Sequence, residues 1–86
     1  MEEHNPHLKK AILEIISNQL RMNDPPETKL TFNRLISEGY SKQETEKFIG
    51  SVLSSHIYEI LSEKHEFNNS KYVKDLESLP TLPWEE

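Results

Sequence analysis

His56 is the side chain whose type and position could most readily do chemistry. It sits inside an apolar helical stripe running Thr45, Phe48, Ile49, Val52, Leu53, His56, Ile57, Ile60 and Leu61. An imidazole in such a stripe must find a hydrogen-bond partner or give up its charge. One reading makes it a metal ligand, a proton donor or a pH sensor. The other makes it a core-edge residue bonded to a carbonyl, a tyrosine or a carboxylate. His4 and His7 stand three apart, a spacing that clamps a metal if both belong to one helical turn, but Pro6 places His4 outside the helix. A metal- or ligand-responsive site would therefore rest on His7 and His56 with a carboxylate from another helix. No glutamate is followed three residues later by a histidine, so the paired helical signature of di-iron bundles is missing.

Other chemistries find less to work with. The chain has no cysteine, which removes disulfides, thiolate ligands and a thiol nucleophile and suits a reducing cytoplasm. The serines fall at helix caps or on helix faces, outside any nucleophile elbow or serine, histidine and acid arrangement. Gly39 and Gly50 are isolated, so neither a phosphate loop nor a dinucleotide fingerprint can be built. The neighbouring carboxylates Glu44 and Glu46, or Glu85 and Glu86, suit capping, helix dipoles and solubility better than acid-base work. The expectation is a non-enzyme with no catalytic residues and no cofactor.

Fifteen acidic and ten basic residues give a formal charge of -5 over 86 residues, which repels a phosphate backbone. The lysines and arginines are dispersed, with no run longer than two. Nucleic acid is not an expected partner. Met1 to Asn5 is acidic and polar where a signal peptide is basic and then apolar, and the apolar runs are too short to span a bilayer. These features predict a cytoplasmic protein without membrane association.

The elements that must position these residues are marked by helix punctuation. Length allows one domain, 1-86, with a single modest core. Asn5 and Pro6 open a helix over about 6-22 with a stripe of Leu8, Ala11, Ile12, Ile15, Ile16, Gln19 and Leu20. Asn23-Asp24-Pro25-Pro26 ends it and opens a second helix, about 25-38, with Asp24 as cap and Glu27 placed for a capping box. That helix turns Thr28, Phe32, Leu35 and Ile36 inward and Lys29, Arg34 and Glu38 outward, and Gly39 closes it. Ser41 and Glu44 form the capping box of a third helix, about 42-64, onto which Tyr40 staples. Gly50 in its middle fits either a close backbone approach or a tolerated surface position. Asn68 or Asn69 caps a fourth helix, about 69-78, carrying Tyr72, Val73, Leu76 and Leu79.

The fold expected is all-α, a compact bundle of four helices with the third central and an extended proline-containing tail. Leu79, Leu82 and Trp84 either fold back over the bundle or form a docking peptide for a partner groove. Leu30, Tyr58, Phe67, Leu82 and Trp84 lie off the core stripes and are the candidate contacts for an unidentified protein partner or for self-association. The helix pair around Gly39-Tyr40-Ser41 superficially resembles a helix-turn-helix reader and the turn of ubiquitin-associated domains. Its would-be recognition helix carries Glu44 and Glu46 where arginine or lysine is wanted.

The ordered set Asn5-Pro6-His7-Leu8, Asp24-Pro25-Pro26, Arg34-Leu35, Glu38-Gly39-Tyr40-Ser41, Tyr72-Val73 and Leu79-Pro80 resembles a family of small all-helical bacterial proteins of unassigned function. The likeness spans nearly the whole chain. Members of that family tend to carry further histidines near the starts of helices one and three, where this chain has Lys9, Lys10, Gln43 and Lys47. The resemblance implies a helical bacterial protein and supplies no activity.

Overall fold

The computed structural model describes residues 6–63 and 66–85. His4, Asn5, Lys64 and Glu86, to which roles or boundaries were assigned above, lie outside the described residues. The described chain forms α1 (Pro6–Met22), α2 (Pro26–Ser37), α3 (Lys42–Glu63) and α4 (Asn69–Ser78), an all-α domain. α3 packs against the other three helices, as a central helix must, and α2 does the same. α1 and α4 flank this pair.

The turns show why the helices end where they do. At the end of α1, Asn23 takes a left-handed φ of 55° and the Asp24 amide donates to the Gln19 carbonyl. That amide is thus spent closing α1. The expected Asp24 cap and Glu27 capping box do not form: Pro25 occupies the cap position of α2 with no side-chain hydrogen bond, and Pro26 follows as the first helical residue. Proline at this position loses no donor that the helix needs, so the prolines start α2 without a polar cap.

Gly39, at φ 105°, ends α2 in a Schellman arrangement: its amide donates to Ile36 and that of Tyr40 to Leu35. The capping box of α3 is reciprocal, with Glu44 N–H donating to Ser41 Oγ at 3.0 Å and Ser41 N–H donating to Glu44 Oε1 at 2.9 Å. Tyr40 packs edge-on against Phe48, 5.3 Å between ring centres, so it staples the second turn of α3 instead of the first. The Asn68 side chain caps α4 by accepting from the Lys71 amide.

Ile12, Ile16, Leu35, Ile49, Val52, Leu53, Tyr72, Leu76 and Leu79 form the buried core, with Phe32, Phe48, Ile57 and Leu82 packed around it. Several stripe positions depart from expectation. Leu8, Ala11 and Ile36 are exposed, as is Leu61 at the far end of α3, while Thr31 is buried. Gly50 is buried, and a Cβ built there would stand 3.2 Å from Ile12 Cγ2 and 3.8 Å from Ile16 Cδ1. Gly50 is thus not a surface position, and what approaches it closely is the side chains of Ile12 and Ile16 on α1, not another backbone.

The tail also differs from a continuous extended run. The Leu79–Pro80 peptide bond is cis, as is Asp24–Pro25. Thr81 N–H donates to Ser78 O and Glu85 N–H to Leu82 O, making two successive turns. Leu79 is buried and Leu82 half-buried against the core, whereas Trp84 is 57% exposed. The fold-back reading thus describes the two leucines, and the tryptophan remains largely outside.

Leucine at position 50 would collide with Ile12, so Gly50→Leu should lower the unfolding free energy by about 1 to 3 kcal/mol in denaturant melts. Gly50→Ala should stay within about 1 kcal/mol of the parent, helix propensity offsetting the tight contact. An unchanged midpoint for Gly50→Leu would show that α1 and α3 are not in close contact there.

Candidate functional site

The polar side chains that the fold brings together lie where α4 meets the other helices. Gln19 Oε1, on α1, accepts a 2.8 Å hydrogen bond from Thr28 Oγ1 of α2 and another of 2.8 Å from Tyr72 Oη of α4. Thr28 and Tyr72 are both fully buried. A buried hydroxyl needs a partner, and one amide oxygen with two lone pairs serves two donors. Three helices therefore converge on a single atom.

His56 on α3 makes the second tie to α4. Its Nε2 lies 2.7 Å from Asp75 Oδ2, with the histidine side chain 4% exposed and the aspartate 16%. A carboxylate accepts, so the proton of this bond resides on Nε2, and the separation is that of a charge-assisted bond. The imidazole also meets Tyr72 edge-on at 5.5 Å and Phe67 at 5.9 Å, while Phe67 and Tyr72 pack at 5.3 Å. Of the two readings of His56, the structure supplies the bonded core-edge histidine, with a carboxylate as partner.

Arg34 makes the third tie. Expected to point outward, it is half-buried, and its guanidinium donates to the carbonyls of Leu79 at 2.8 Å, Leu76 at 3.1 Å and Glu77 at 3.5 Å. The last turn of a helix leaves carbonyls without intrahelical donors and carries the negative end of the dipole. A cation from α2 satisfies both. Glu38 completes the arrangement 3.5 Å from Arg34 Nη1.

Each of these three ties gives a polar side chain a partner on another helix. His56 is committed to Asp75 and Tyr72 to Gln19. His7 lies on the exposed first turn of α1. Among the described residues no group of three or more histidine, aspartate or glutamate side chains is placed to hold a metal ion. None of the described helices is long and apolar enough to cross a membrane.

The candidate contact residues fall in different places. Leu30 is 67% exposed on α2, Tyr58 71% on α3 and Trp84 57% in the tail, whereas Phe67 is 41% exposed because it covers His56 and Tyr72. Leu82 packs against the core. Tyr58 is two residues beyond His56, about 160° away around the helix, so it does not share a face with Phe67. Asp75 escaped sequence reasoning, although its position three after Tyr72 and one before Leu76 puts it beside the apolar stripe of α4. Gln19 was read only as a stripe position, and its place among apolar residues was the signal for a buried bond.

No family model, no curated protein and no solved structure matches the chain.

Burial raises the Tyr72 phenol above its ordinary pKa. A neutral phenol favoured by the fold contributes full stability below the unfolded value near 10, and that contribution declines as pH rises towards the higher folded value. Denaturant melts should therefore show an alkaline loss above about pH 10 that is smaller in Tyr72→Phe. The variant should also be about 1 kcal/mol less stable at neutral pH. Parallel curves for the two proteins would show that Tyr72 is not desolvated.

For the second tie, His56→Ala and Asp75→Asn should each cost about 1 to 3 kcal/mol, and the double variant should cost less than the two losses combined. Strictly additive losses would show that the pair does not interact.

Proposed function

We propose that this chain is a non-enzymatic protein–protein interaction or adaptor module of the bacterial cytoplasm. The observation that carries the reading is the division of labour among its side chains. The polar groups suited to chemistry are consumed in ties between helices, while large apolar side chains stand outside: Leu30 at 67%, Tyr58 at 71%, Leu61 at 74% and Trp84 at 57% exposure. Apolar side chains left in water on a small acidic domain favour contact with another surface.

A photo-crosslinking benzophenone side chain in place of Leu30, Tyr58 or Trp84 tests it in cells. At least one position should give a discrete protein adduct, while the same group in place of Lys74, on the exposed face of α4, should give none. Absence of adducts at all three positions would overturn the reading.

A further inference from the structure

We draw no further inference here: the strongest candidate, the surface patch at Trp84 on the turn that Leu82 and Glu85 close beyond α4, holds an indole 57% exposed, but nothing in the structure shows what covers it.

Discussion

A single amide oxygen holds the bundle to one arrangement. Gln19 Oε1 receives Thr28 from α2 and Tyr72 from α4, and both donors are fully buried, so losing the acceptor would leave two desolvated hydroxyls unpaired. Apolar burial alone tolerates sliding and rotation of one helix against another, because it is not directional. Two hydrogen bonds converging on one atom do not. The register of α1 against α2 and α4 follows from them.

α4 shows most clearly what such directional bonds accomplish. A helix of 10 residues is too short to be stable by itself in water. It buries Tyr72, Leu76 and the following Leu79, and it is then oriented from three sides: Gln19 at its phenol, His56 at Asp75, and Arg34 at its terminal carbonyls. The aromatic contacts among His56, Phe67 and Tyr72 close the end nearest its cap. Among the described residues, the buried Thr45 hydroxyl is left without a hydrogen-bond partner.

The same economy bears on function. A histidine paired with an aspartate can serve as a base in a catalytic site; here the pair joins α3 to α4, with Phe67 and Tyr72 packed against the imidazole. The apolar side chains tell the opposite story. Those of the core are spent on packing, and Leu30, Tyr58, Leu61 and Trp84 stand largely in solvent.

What the sequence by itself determined is everything written in interactions a few residues long. The four helices, the left-handed stop at Gly39, the reciprocal box of Ser41 and Glu44, and the Asn68 cap each depend on atoms within one turn of one another, and local chemistry selects them before packing begins. Even there the expected Asp24 cap gave way to geometry, because the Asp24 amide closes α1 and Pro25 occupies the cap position of α2. Only the tertiary structure decided which polar groups would meet. Gln19 and Tyr72 are separated by 53 positions, Arg34 and Leu79 by 45, and His56 and Asp75 by 19. Helical periodicity tells which face a residue occupies but not the angle or height at which that face meets another. It therefore placed Arg34 in solvent and left His56 with two readings, until the packing of α2, α3 and α4 supplied the partners.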